Sequence, residues 1–490
     1  MKRARSMWRH ASAAVLMAAT WPALASATTH WAKLGPSDGQ QFDTFGLAIA
    51  IDGSTVIVSK GAVIPQSGPG SLYAFTQAGG KWTQAQKFQP PGIQIGEWFG
   101  ALDLEGTTLV ASTTPQLNTL GSNAATAYVF EKSGSTWAAT QQLLPSDPGA
   151  QDDFGSWIAV SGTTAVVGAA RKGDQGPGSG AVYVFDKVGS AWTQTQKLVA
   201  SDGAATHIFG TSVDISGSTI AVGAPGDASH GNFTGAVYVF QKGGSVWSET
   251  QKLVASDAAA KRYFGERVAL SGTSLVVSAW GDAAQGNNAG AVYAFEQSSG
   301  TYAQVQKIVP ADAGAQDRFG AALALRNGLL VVGSVGDDDR GINTGATYLF
   351  TKSGPTWTQL RKITTSDSTT DEDFGAAVAT DGTWLAVAAD ANGLPLTGST
   401  YLYGKTDADG DGYPAEVDCL DTNANVNPGK TEVKNNGLDD DCNASTPDTG
   451  CGSVAGADAR SAGPFGLAAG VLGMVARAAR RNRRWSRARR

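Results

Sequence analysis

A Phe-Gly pair returns at Phe45, Phe99, Phe154, Phe209, Phe264, Phe319 and Phe374, once after 54 residues and then five times after 55. Two more markers keep the beat. Tyr73, Tyr128, Tyr183, Tyr238, Tyr293 and Tyr348 stand 55 apart, with Tyr401 after 53, and Trp82, Trp137, Trp192, Trp247, Tyr302 and Trp357 repeat at 55. Three registers in step mean one unit copied seven times, which confines the chain to repeat architectures.

Each copy reads as four short strands. In the fourth, Thr211 to Ile215 alternates, Ser216-Gly217 turns, Ile220 to Gly223 runs apolar, and strands follow at 235–240 and 247–254. Such β-branched and aromatic runs, bounded by Gly, Ser and Asp, are strand signals, and no helical period competes with them. The first turn is short in every copy, as at Asp52-Gly53, Ser161-Gly162 and Asn327-Gly328. Glycine there suits a tight hairpin. The expectation is an all-β chain: a seven-bladed β-propeller over residues 28–404. The seventh copy leaves the pattern after Tyr403, without its fourth strand. The segment His30-Trp-Ala-Lys-Leu-Gly-Pro-Ser-Asp38, which resembles the end of a fourth strand, is expected to supply it and close the ring's open edges.

These repeats resemble the FG-GAP family, the propeller units of integrin alpha chains and many bacterial surface proteins. Gly223-Ala224-Pro225 keeps the name-giving triplet in full, and Gly168-Ala169 keeps two-thirds of it. In the calcium-binding members an Asp-x-Asp-x-Asp-Gly loop joins the first two strands of a blade. Here that connection is a bare turn, so the blades are expected to be metal-free.

The ends differ from the repeats. Residues 1–27 carry Lys2, Arg3, Arg5 and Arg9, an apolar stretch, then Ala25-Ser-Ala27: a secretory signal with cleavage expected after Ala27. Residues 462–476 are apolar and Gly/Ala-rich, and eight arginines follow between Arg477 and Arg490. That order reads as a membrane-engaging stop-transfer segment, although 15 residues fall short of a full span. With Cys451 just upstream, residues 449–490 resemble the MYXO-CTERM sorting tails of exported bacterial proteins, which implies processing and surface anchoring. Setting aside the four and eight terminal cations takes the net charge from −6 to −18. An acidic body argues against nucleic acid as a partner. The propeller holds no cysteine, and in an exported chain Cys419 and Cys442 read as a disulfide closing a small module.

That module, residues 405–448, opens with Asp407-Ala-Asp409-Gly-Asp411-Gly412-Tyr413, followed by Asp418. Carboxylates at positions 1, 3, 5 and 12, with glycine at 6, form an EF-hand-type calcium loop in which Tyr413 offers its carbonyl. Aspartate at position 12 reaches less far than glutamate, which implies weaker binding. Asp421, Glu432, Asp439, Asp440 and Asp441 add charge that a cation would relieve. The stretch from Glu416 to Asn443 resembles a metal-binding motif of secreted bacterial proteins, and the resemblance carries the Cys419–Cys442 pairing but no third cysteine near Glu432.

Enzyme signatures do not hold. Gly35-Pro-Ser-Asp-Gly39 matches a nucleophile-elbow string, but Ser-Asp recurs at Ser146, Ser201, Ser256 and Ser366 as a repeat loop, not a strand-to-helix turn. His30, His207 and His230 stand singly and read as solvated loop residues. Asp227, Asp282 and Asp337 share a register and read as structural turn residues, leaving single-copy loop residues free for recognition. Between second and third strands these include Arg171, His230, Phe233, Trp280, Asn287 and Arg340. The chain is therefore expected to be a monomeric, non-catalytic surface protein for adhesion or recognition of a glycan or protein. A structural envelope protein is the alternative, and a polysaccharide-active hydrolase or lyase a more distant one.

Overall fold

The computed structural model describes residues 32–404 except 42, 63–67, 79–80, 116–125, 150, 366–371 and 390–396, with nine scattered positions between 423 and 440. The signal segment with Ala27, the residues Asp407, Asp409, Asp411, Tyr413 and Asp418, all three cysteines and the sorting tail lie outside the described residues.

Seven four-stranded antiparallel sheets follow one another along the chain. Blade 4 is typical, with strands Ser212–Ser216, Thr219–Ala224, Ala236–Gly243 and Val246–Leu253 in spatial order. Blade 7 has Phe374–Thr380, Trp384–Ala389 and Ser399–Gly404 from its own copy, and Ala32–Leu34 as its fourth strand. That closing strand runs antiparallel, with Ala32 opposite Leu402 and Leu34 opposite Thr400. The ring closes as the repeat count requires; Trp31 lies outside the described residues.

Framework aromatics fill the space between blades. Phe45, Phe99, Phe209, Phe264, Phe319 and Phe374 are wholly buried, and Phe154 nearly so. Except in blade 2, each packs edge-on against the repeat tyrosine at 5.3–5.7 Å between ring centres. In blade 2, Phe99 meets Phe130 instead. The glycines of the two motifs meet across blade boundaries. A Cβ on Gly223 of blade 4 would lie 1.9 Å from the carbonyl oxygen of Gly265 in blade 5, so only glycine lets these backbones touch.

A second girdle is polar. The third-to-fourth strand pairing slips by one residue in six blades, as between Val239 and Phe240. Beside that bulge stand Gln86, Gln141, Gln196, Gln251 and Gln306. Each amide donates to the backbone carbonyl, and accepts from the N–H, of Trp137, Trp192, Trp247, Tyr302 or Trp357 in the next blade, at 2.5–2.9 Å. Satisfying two backbone groups with one side chain fixes the spacing between blades as well as adding stability.

Candidate ligand site on the loop face

In an antiparallel four-stranded blade the second-to-third loops and the connectors between blades emerge on one face. The connector aspartates fasten that face. Asp202 accepts hydrogen bonds from Tyr238 and Lys252, both at 2.6 Å, and Asp257 does the same with Tyr293 and Lys307 at 2.8 and 2.6 Å. Asp38 and Asp147 repeat the arrangement with Tyr73 and Lys87, and with Tyr183 and Lys197. Among the described residues, the Ser-Asp entering blades 1, 3, 4 and 5 is thus a latch tying the connector to the outer strands of its blade. Burial pushes Asp147 up, but the Lys197 and Tyr183 hydrogen bonds outweigh it and hold its carboxyl down to about 2. Burial and the facing carboxylates raise the tyrosines well above the ordinary phenol range.

Asp227, Asp282 and Asp337 are structural, as expected, and do more than turn the chain. Each is buried, accepts the backbone N–H two residues on, and accepts from its blade's tyrosine and lysine. His207 departs from expectation. It is largely buried rather than solvated, with Nδ1 3.5 Å from Asp227, because it occupies the register where Arg262 meets Asp282 at 3.1 Å.

The structure brings two of the expected ligand residues together through a third. Tyr263 stacks on Trp280 at 4.8 Å with ring planes 6° apart, and Phe233 lies 5.6 Å from Tyr263 on the other loop. Phe233 is 39% exposed, whereas Trp280 is half-buried by the stack. The backbone zips this patch: Tyr263 N–H donates to Phe233 O and Lys261 N–H to Asn232 O. Phe233 and Trp280 depart from the repeat, and Tyr263 shares its aromatic character with Trp98 of blade 2 alone. The Tyr263 register holds Thr44, Trp98, Asp153, Ile208, Arg318 and Asp373 elsewhere; the Trp280 register holds Ala170, Pro225 and Val335; the Phe233 register holds Gly178, Asn288 and Asn343. A framework demand would recur in most copies, so the combination of these three rings answers to something else. His230 is exposed in the loop that carries Phe233, and Asn287 is exposed in the corresponding loop of blade 5. Arg171, in blade 3, pairs with Asp153 at 2.8 Å, and Arg340 is exposed in blade 6.

The first strands of all seven blades line a central channel of about 500 Å³. One of its registers is alanine in five blades (Ala50, Ala159, Ala269, Ala324 and Ala379), but aspartate at Asp103 and Asp214. The sequence reading missed this pair, although the repeat alignment marks it. Each carboxylate reaches the next blade, accepting Val160 N–H or Leu270 N–H at 2.6 Å. Burial pushes Asp103 up to about 6, against the pull of those N–H groups. Burial and the Asp103 charge push Asp214 up to about 7. Arg267 lies over Trp157 at 4.4 Å on the same wall. With both oxygens of each aspartate accepting backbone N–H groups, the pair braces neighbouring blades.

Among the described residues, one carboxylate trio has metal-like spacing: Asp312, Asp337 and Asp339. Its centre belongs to the Lys362 ammonium, which bonds the three at 2.9, 2.6 and 2.6 Å. Near the C-terminus, Asp440 is buried and accepts from Val433 N–H and the Asn436 amide.

Family models agree with this geometry. The model described as "FG-GAP repeat" matches residues 28–75, 137–185, 192–240, 247–295, 302–350 and 357–403. A second, described as "Putative metal-binding motif", under a label that names copper, matches residues 418–446. No curated protein matches the chain. Among solved structures, a chain of the "Crystal Structure of Mitotic Checkpoint Complex" is 13% identical with a TM-score of 0.47, covering 80% of this chain and 98% of that one. A "putative 6-phosphogluconolactonase" from Bacteroides uniformis is 13% identical with a TM-score of 0.46, covering 70% and 89%. With FG-GAP units matched over more than half its length, and Phe-Gly packed against the Gly-Ala-Pro register of the preceding blade, this chain belongs to the FG-GAP repeat family.

Proposed function

We propose that this is an exported, surface-attached, non-catalytic binding protein whose propeller takes a glycan or protein ligand on its loop face. The observation that carries this reading is the Phe233–Tyr263–Trp280 stack, three rings on one patch, two of them at registers that are aromatic in no other copy. Rigid aromatic rings offer contact area at low entropic cost, and loop residues on a stiff scaffold are where recognition concentrates. The double variant Phe233→Ala, Trp280→Ala is expected to weaken binding on a glycan and protein array about tenfold or more, the loss of roughly 1.4 kcal/mol. Its melting temperature should stay near that of the parent. Undiminished binding would turn the reading toward a structural envelope protein.

Attachment and export rest on the basic-apolar segment ending at Ala27 and on the tail around Cys451. For the C-terminal module the proposal is calcium, held by Asp407, Asp409, Asp411, Asp418 and the Tyr413 carbonyl. Four carboxylates and a carbonyl are hard oxygen donors, which suit calcium better than copper. The matched metal motif begins at Asp418, so it overlaps this loop at one ligand. Chelation should open new proteolytic cuts confined to residues 405–450, since bound calcium offsets the repulsion of clustered carboxylates. Protection restored by copper but not by calcium would correct the metal, and new cuts throughout residues 45–400 would overturn its confinement to the module.

A further inference from the structure

Blades 3 to 6 share one buried frame on the loop face. The carbonyls of Asp152, His207, Arg262 and Asp317 each accept the N–H of Arg171, Gly226, Gly281 or Gly336, at 3.1–3.3 Å. Twenty residues after each of the four stands its side-chain counterpart: Lys172, Asp227, Asp282 and Asp337. In three blades the two sides have complementary character. Asp152 meets Lys172 at 2.9 Å, His207 stands 3.5 Å from Asp227, and Arg262 meets Asp282 at 3.1 Å. Blade 6 places aspartate on both sides. Asp317 is 8% exposed and Asp337 2%.

The neighbourhood does not make up the deficit. Lys362 is already shared among Asp312, Asp337 and Asp339. Asp338 adds a further negative charge, Tyr348 donates to Asp337, and the bases on the same segments, Arg318 and Arg340, are exposed. We propose that Asp317, buried beside the Asp337 carboxylate, holds a proton where its neighbours carry an oppositely charged partner, and that its loss as pH rises loosens the 335–345 loop on the ligand face. This inference does not depend on what the aromatic patch binds.

Burial pushes Asp317 up to about 6; Gly314 N–H and Lys362 oppose that shift, while Asp337 and Asp338 add to it. Burial raises Asp337 as well, against Lys362. The folded carboxyl therefore holds its proton more tightly than the unfolded one, whose ordinary value is about 4. The stabilisation is full below about pH 4 and is lost as pH rises to about 6. The loop feels this directly, because its turns hang on the same residues. Asp339 N–H donates to the Asp337 carboxylate, Gly345 N–H to the Asp337 carbonyl, and Asn343 N–H to the Asp338 carboxylate.

Hydrogen exchange read by mass spectrometry at pH 5 and pH 8, corrected for intrinsic rates, tests the proposal. Residues 335–345 should open about tenfold more readily at pH 8, one pKa unit of the shift being tenfold in the equilibrium. Residues 280–290 of blade 5 should hardly change. Asp317→Asn removes the titrating group and should flatten the response, as should Asp317→Arg, which recreates the arrangement of Arg262 with Asp282. Equal loosening in blade 5, or a response that survives in both variants, would overturn the proposal. So would protection regained at pH 8 on adding calcium alone, which would put a metal where the proton is placed.

Discussion

Deleting residues 28–38 should lower the melting temperature of the whole propeller by about 10 °C, and not that of blade 7 alone. The segment acts at both ends of the ring. Ala32–Leu34 completes the sheet of blade 7 against Ser399–Gly404. Leu34 is buried in a cluster with Phe45, Val56 and Leu402, which mixes residues of blades 1 and 7. Asp38 is the latch of blade 1, taking hydrogen bonds from Tyr73 and Lys87, and Ser37 N–H is held by Gln84. Losing these together leaves an unpaired edge along Ser399–Gly404, a template for association. A loss of about 5 kcal/mol at roughly 2 °C per kcal/mol gives the expected shift, because large domains move less per unit of free energy than small ones. Calorimetry of the truncated and complete propellers decides it. A single transition at an unchanged temperature would remove the closure argument.

The fold was legible because burial writes its period into the sequence. Phe, Tyr and Trp recur where side chains must fill identical gaps, and only a ring of seven uses all the copies. The polar girdle kept the same period at Gln86, Gln141, Gln196, Gln251 and Gln306, yet it reads as a solvent face, since nothing local says that an amide will reach the backbone of the next blade. The Ser-Asp latch was visible as a repeat but not as an ion pair. Its lysine lies about 50 residues further on, close only after the blade has folded. Phe233 and Trp280 stood out as aromatics in polar loops. Tyr263 did not, because it precedes the framework Phe264 directly and passes for part of a strand. His207 reads as solvated for a related reason: its partner Asp227 is twenty residues away, and only the buried frame joins them.

Two glycines of similar backbone conformation should respond to alanine very differently. Gly235 has φ of +86° and Gly272 of +59°, so both occupy the left-handed region that a side chain resists. At Gly272, in a first hairpin turn, an added Cβ would meet nothing within 4 Å. Gly272→Ala should therefore cost about 1 kcal/mol, the backbone term alone. At Gly235 the same methyl group would lie 2.0 Å from the carbonyl oxygen of Phe264 and 2.5 Å from its nitrogen. These atoms are backbone and cannot swing aside. They belong to the contact by which blade 4 engages blade 5: Gly235 bridges Phe264, whose N–H donates to Thr234 O. Phe264 is itself wholly buried against Tyr293. Gly235→Ala must push the two blades apart or break that bridge, exposing part of the framework packing, and should cost more than about 4 kcal/mol, the range reserved for severe core disruption. Gly180, Gly290 and Gly345 meet Phe209, Phe319 and Phe374 in the same way, so each should behave like Gly235. Urea unfolding of the two variants beside the parent gives the comparison. Equal losses for Gly235→Ala and Gly272→Ala would mean that backbone conformation alone, and not contact between blades, sets the demand for glycine in this ring.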